Sequence, residues 1–170
     1  MLDPHVAQLL NSQINKEFYS AYLYLDISNY YLDQNLNGFG HWFRVQAQEE
    51  RDHALLFITY MQNNNTPITL DTVACPGQQY QDFGQPLTLV LEHERYITSQ
   101  IHAIYSAALA GQDYRTTQFL DWFIREQGEE ERSTEDLLRR FALFGQDAKG
   151  LYLLDSELAT RAYAPPTLAL

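Results

Sequence analysis

Cysteine is almost absent from this chain of 170 residues, with Cys75 as its single example. One thiol cannot form an intrachain disulfide, and it cannot supply the paired thiolates of a cysteine-rich zinc site. The five histidines are scattered along the chain, so there is no His-rich metal-binding tract. We expect Cys75 to be an inert loop or surface thiol, and any metal ligands must come mainly from other residue types.

Basic residues and long apolar runs are also scarce. Lys and Arg number 11 against 22 Asp and Glu, a net charge of −11. This charge argues against nucleic acid or an anionic membrane as a partner, and it is compatible with attracting cations. No apolar run approaches about 20 residues, so no membrane span is predicted. The first residues lack a basic region followed by an apolar stretch, so no secretory signal is predicted and a cytoplasmic location is expected.

Apolar residues are plentiful and regularly spaced. They make up 45% of a chain whose length suits one domain, residues 1–170. In four long segments they recur at steps of three and four, which predicts an all-α protein. A short fifth helix is predicted over roughly residues 149–162. The long segments carry the usual boundary residues, with Asp3, Pro4 and Asp113 at starts and Gly111 and Gly145 at ends.

The lengths of the connections predict the topology. The first and second helices, and the third and fourth, are joined by short turns, so each pair should be antiparallel. Residues 66–84 form a long connection without a convincing period. A helix of about 30 residues is ~45 Å long at ~1.5 Å per residue, and this connection can reach roughly 60 Å at ~3.3 Å per residue. It can therefore run the length of a four-helix bundle and leave the second and third helices parallel.

Polar residues interrupt the apolar stripe near the middle of each long helix. In chain order they are Glu17, Glu50-x-x-His53, Glu94 and Gln127-x-x-Glu130. Carboxylates do not enter a bundle core without charge compensation, and residues three apart share a helix face. Four helices that each contribute inward Glu or His side chains build a two-iron carboxylate site. Oxygen ligands with one imidazole suit iron and dioxygen, although zinc would also bind.

Four segments of the chain together resemble the prokaryotic non-haem ferritins over essentially its whole length. They are residues 15–20, 47–53, 126–131 and 150–158. The resemblance implies an all-α, ferritin-like four-helix bundle with one long crossover and a short fifth helix. It also implies iron storage with ferroxidase activity, in which Fe(II) is oxidised by dioxygen or peroxide and kept as a ferric mineral. The storage compartment would be a hollow shell of twenty-four identical subunits.

The same resemblance assigns roles to individual residues. The first iron would be held by Glu17, Glu50 and His53. The second would be held by Glu50, Glu94 and Glu130, with Gln127 in its surroundings. A third iron site would comprise Glu49, Glu126 and Glu129, with Glu130 shared. Tyr24 matches a tyrosine close to the site. Haem is not expected, because Arg51 follows Glu50 where haem-binding bacterioferritins carry Met, and the methionines here are Met1 and Met61.

Several alternatives remain open from the sequence. One alternative is a rubrerythrin-like di-iron oxidase or peroxidase, which would have no iron-storage cavity. A second is a storage subunit that mineralises iron without a competent ferroxidase site. A third is a mini-ferritin, whose metal ligands would lie between subunits. The three glutamates of the third site could instead form a solvated face, and Tyr24 could be a core tyrosine bonded to a carboxylate. The remaining histidines are expected at the surface or at an interface: His5, His41, His93 and His102.

Overall fold

The computed structural model describes residues 2–168 and contains five helices, with no strand in that range. They are α1 (Pro4–Asp33), α2 (Asn37–Asn63), α3 (Gln85–Ala110), α4 (Tyr114–Phe144) and α5 (Ala148–Leu158). The predicted all-α class is confirmed. The fifth helix was predicted too long, since it ends at Leu158 and the chain then turns back towards α2. In the described range no helix has the length and apolar character needed to cross a membrane.

Helix boundaries follow local hydrogen bonding. Asp3 accepts hydrogen bonds from two amides of the first turn of α1, and Asp113 accepts one from the amide of Thr116 at the start of α4. The expected left-handed residue after α3 is not Gly111, whose φ is −81°, but Gln112, whose φ is 55°. The Asp113 amide bonds the carbonyl of Ala108 at 2.9 Å across this turn, which closes the helix end in the Schellman manner.

The start of α2 depends on α5. Leu36 offers no side-chain cap there, and the amide of Phe39 instead donates to Oδ1 of Asp155 at 3.0 Å. A Cβ atom on Gly38 would lie only 1.7 Å from the carbonyl oxygen of Asp155. Glycine is therefore required at position 38, because any side chain would force α5 away from α2.

The long crossover lies along α1. Asn11 exchanges two hydrogen bonds of 2.9 Å with the backbone of Thr69, and the hydroxyl of Tyr31 donates to the carbonyl of Phe83 at 2.7 Å. Residues 64–84 thus pass from the start of α1 to its end, where α3 begins. Because α1 runs opposite to both α2 and α3, those two helices are parallel, as the length of the connection predicted.

The core consists of two apolar clusters separated along the bundle axis. One is centred on Leu10, Phe57, Ile101 and Phe119, and the other on Ile27, Tyr31, Phe43 and Val90. Each fully buried large side chain contributes roughly 1.5–3 kcal/mol of hydrophobic stabilisation. Between the two clusters lies a layer of polar side chains drawn from all four long helices.

Candidate metal centre

The polar layer contains every core residue that the sequence pattern singled out. All of them are at most 6% exposed: Glu17, Glu50, His53, Glu94, Gln127 and Glu130. Apolar clusters lie above and below them, so the layer is surrounded by material of low polarity. Charged groups in such a place are stable only when they pair, lose their charge or bind a cation.

Glu17, Glu50 and His53 form the tightest group in this layer. One donor atom from each lies within 4.8 Å of the other two, and residues 2–168 contain no second group of three His, Cys, Asp or Glu residues with this spacing. Nδ1 of His53 is 3.5 Å from Oε2 of Glu50. The rings of Trp122 and Phe123 pack edge-on against the imidazole and fix its plane.

Glu94 lies on the other side of the layer and already has partners on two helices. The hydroxyl of Tyr24 donates to its Oε1, and Nε2 of Gln127 donates to its Oε2 at 3.1 Å. Gln127 also lies 3.4 Å from Oγ1 of Thr98. Neither Glu94 nor Glu130 joins Glu50 in a second group with the 4.8 Å spacing. A second ion bound here would therefore share the oxygens of Glu94 with the donors of Tyr24 and Gln127.

Burial keeps most of these carboxyl groups protonated. It raises the pKa of Glu17 to about 8, with repulsion from Glu50 acting in the same direction. Burial followed by repulsion from Glu50 also raises the pKa of Glu94 to about 8. For Glu130, burial and then Glu94 hold the pKa well above its usual range. Several carboxylates so close together cannot all ionise in a dry interior without a cation.

Glu50 and His53 behave as an ion pair within this layer. Burial acts to raise the pKa of Glu50, but the neighbouring His53 outweighs it and the net shift is downward. Burial acts to lower the pKa of His53, but Glu50 outweighs it and raises the value to about 10. At neutral pH the metal-free layer therefore holds one carboxylate and one imidazolium, and its other carboxyl groups are neutral. A divalent cation would take the place of several protons.

The glutamates of the predicted third site line a neighbouring cavity of about 490 Å³. Glu49, Glu126 and Glu129 all face it, together with the tail residues 164–167. The carboxylate of Glu49 is paired with the guanidinium of Arg161, which also lies 4.3 Å from the centre of the Trp42 ring. The structure therefore brings the three glutamates to one cavity without gathering their oxygens into a close group, and a basic side chain neutralises one of them.

Two buried residues that the sequence analysis missed contact the predicted ligands. Nε2 of Gln13 donates to Oε1 of Glu17 at 2.8 Å, and Nε2 of Gln46 donates to Oε1 of Glu50 at 3.1 Å. Both glutamines precede their carboxylate by four residues, so each occupies the same helix face. A polar residue at that spacing on an otherwise apolar stripe was the signal available in the sequence.

The surface or interface location expected for His93 stays a prediction. Its ring is partly exposed and packs between α3 and α1, 6.1 Å from the ring centre of Tyr24 and nearly perpendicular to it. Oγ of the buried Ser20 lies 2.8 Å from its Nε2. The position one residue before Glu94 faces α1 because the long crossover brings α3 against that helix. Cys75, in contrast, is exposed, as expected.

Fold and centre together define a helix-bundle protein with a buried carboxylate–histidine layer supplied by all four long helices. A ferritin-like domain model matches residues 7–144, and the chain belongs to the ferritin family. It is 37% identical to the bacterial non-heme ferritin of Campylobacter jejuni, over 91% of this chain and 93% of the relative. It is 34% identical to a probable bacterial non-heme ferritin-like protein of Haemophilus influenzae, over 93% and 96%.

Solved structures agree with this placement. An engineered closed form of the Archaeoglobus fulgidus ferritin superposes with a TM-score of 0.94 and 36% identity, covering 96% of this chain and all of the other. The ferritin-like bundle and the relationship to prokaryotic non-haem ferritins, both predicted from four short segments, are confirmed.

Proposed function

We propose that this protein stores iron and has ferroxidase activity. The observation that carries the proposal is the buried group of Glu17, Glu50 and His53, whose donor atoms are already within 4.8 Å of one another. Two carboxylates and one imidazole, with room for further ligands, suit Fe(II) that must react with dioxygen. The names of the relatives support iron as the cargo, since they are non-heme ferritins.

A second Fe(II) ion would complete the reacting pair. Glu50 would bridge the two ions, and Glu94 and Glu130 would hold the second, with Gln127 as a hydrogen-bond donor beside it. Each Fe(II) gives up one electron, so two ions together reduce one dioxygen to the level of peroxide. The protein contributes the spacing of the ions, the dry surroundings and the release of protons from its carboxyl groups.

Tyr24 would influence the second ion through Glu94. Its hydroxyl donates to this carboxylate, and burial followed by Glu94 raises the pKa of Tyr24 well above its usual value. The phenol therefore stays protonated and keeps donating throughout the working pH range. Through this contact Tyr24 would act as a positioning group beside the reaction.

The product would move to a mineral inside a shell of twenty-four copies of this chain, in the cytoplasm and without haem. The cavity lined by His53 and Glu130 would be one route out of the centre, and its glutamates would hold the third ion. Arg161 must then release Glu49 before that carboxylate can bind iron.

The test is to purify the chain, measure the mass of its assembly, and add Fe(II) in air. The proposal predicts a particle of twenty-four subunits that oxidises Fe(II) in a fast phase and retains far more iron than its centres can bind. Expression with haem precursor should leave the visible spectrum free of a stoichiometric haem band. A stable particle of twelve subunits would favour a mini-ferritin, and a dimer that stores no iron would favour a rubrerythrin-like oxidase. A shell that shows no fast phase of Fe(II) oxidation would indicate a storage protein without a competent ferroxidase site.

A further inference from the structure

Gln13 and Gln46 each have a buried amide oxygen without a hydrogen-bond partner in the described structure. They are 0% and 1% exposed, and each donates Nε2 to one carboxylate of the metal centre. Within the described residues, no protein group donates to the amide oxygen of either side chain. A buried amide oxygen without a donor is unfavourable, so an apolar residue would suit these positions better if packing were their only role.

In each of the two carboxylates that they contact, one oxygen accepts a hydrogen bond from the glutamine and the other does not. Gln13 occupies Oε1 of Glu17, while Oε2 of Glu17 is buried and has no donor in the described structure. Gln46 occupies Oε1 of Glu50, while Oε2 of Glu50 faces Nδ1 of His53. Oε2 of Glu17 is thus available to a cation beside His53, and Oε2 of Glu50 becomes available once His53 has lost its proton.

We propose that Gln13 and Gln46 are positioning residues for the first metal ion. Each fixes one carboxylate oxygen so that the other faces the ion, and each offers its amide oxygen to a hydrogen atom of water carried by that ion. The inference rests on the proposed function. Hydrogen bonds of this kind orient metal ligands before the ion binds, and their loss typically weakens metal affinity.

Their roles should be separable. Gln13 lies one turn before Glu17 on α1, and Gln46 lies one turn before Glu50 on α2. Because α1 and α2 are antiparallel, the two glutamines lie on opposite sides of the polar layer along the bundle axis. Gln13 acts on Glu17, which serves the first ion alone. Gln46 acts on Glu50, which would bridge both ions. Loss of Gln13 should therefore weaken one metal site, and loss of Gln46 should weaken both.

The experiment compares Gln13→Met and Gln46→Met, which keep the approximate volume but remove the hydrogen bonds. Gln8→Met on α1 and Gln62→Met on α2 are matched controls, because both residues are exposed. Anaerobic Co²⁺ titration, followed by calorimetry and by the visible spectrum of the bound ion, measures affinity and coordination. Thermal unfolding of the metal-free proteins measures the packing contribution separately.

We expect Co²⁺ binding to weaken by about ten- to a hundredfold, at one site for Gln13→Met and at both for Gln46→Met, with an altered spectrum. The controls should match the parent. Gln13→Asn and Gln46→Asn, whose amides are too short to reach, give the same test if a methionine variant does not fold. Variants that are less stable but keep the parent's affinity and spectrum would overturn the inference. A parent that binds no Co²⁺ at this centre would overturn the proposed function as well.

Discussion

Metal binding at the buried centre should release a defined number of protons. With a pKa of about 8, Glu17 is roughly nine-tenths protonated at pH 7, and with a pKa of about 10 His53 is fully protonated. The first ion must displace both protons, because only the deprotonated groups bind metal. The expected release is therefore about two protons at pH 7. It falls to about one at pH 9, where Glu17 is already ionised.

Calorimetric titration with Zn²⁺, which has no redox chemistry, measures this release when repeated in buffers of different ionisation enthalpy. The apparent affinity should rise about a hundredfold per pH unit near pH 7, since each displaced proton contributes about tenfold. Glu17→Gln should lower the release to about one proton and remove its change between pH 7 and pH 9. Glu92→Gln, an exposed site on α3, is the control. Release near zero for the parent at pH 7 would refute the charge state argued for this layer.

Three further predictions concern stability and the neighbouring cavity. Without metal, the free energy of unfolding should fall as pH rises from about 5 to about 10. The reason is that the folded protein keeps protons on Glu17 and His53 that the unfolded chain loses at about pH 4.5 and 6.5. Denaturant titrations at several pH values measure this, and a stability that does not change with pH would contradict it. Glu49→Ala or Glu126→Ala should spare the fast two-iron reaction but change the iron-to-oxygen ratio and later turnover, and parent-like behaviour in an oxygen electrode would mark a solvated acidic face. Gly128→Ala should raise the free energy of unfolding by about 1 kcal/mol, since an added Cβ meets no atom within 4 Å; a loss of stability in denaturant melts would disagree.

The fold was predictable because its determinants are local or depend only on length. Asp3 and Asp113 cap helices with their own side chains, and apolar periodicity marks the buried faces. The crossover followed from the length of residues 66–84 alone. The features that the sequence did not indicate lie where distant segments meet. The start of α2 is capped by Asp155 from α5, which no pattern around residue 37 could indicate.

The site was predictable to the extent that its residues break an apolar stripe. Glu50 and His53 satisfied that condition at a spacing typical of metal ligands. Gln13 and Gln46 also broke the stripe but carried no charge, so their contact with the carboxylates became visible only in three dimensions. The pairing of Glu49 with Arg161 depends on where the tail lies after α5, and sequence spacing contains no information about that path.

The most direct test of the central claim is the fast phase of Fe(II) oxidation in Glu50→Ala and His53→Ala, followed by stopped-flow absorbance in air. Glu92→Ala and His102→Ala, both exposed on α3, are the matched controls, and the mass of each assembly shows whether the shell is intact. The account predicts that all shells are intact. The initial rate of Fe(II) oxidation should fall by at least about a hundredfold in both core variants and stay unchanged in the controls. Parent-like initial rates in either core variant would contradict the claim that this buried layer oxidises iron.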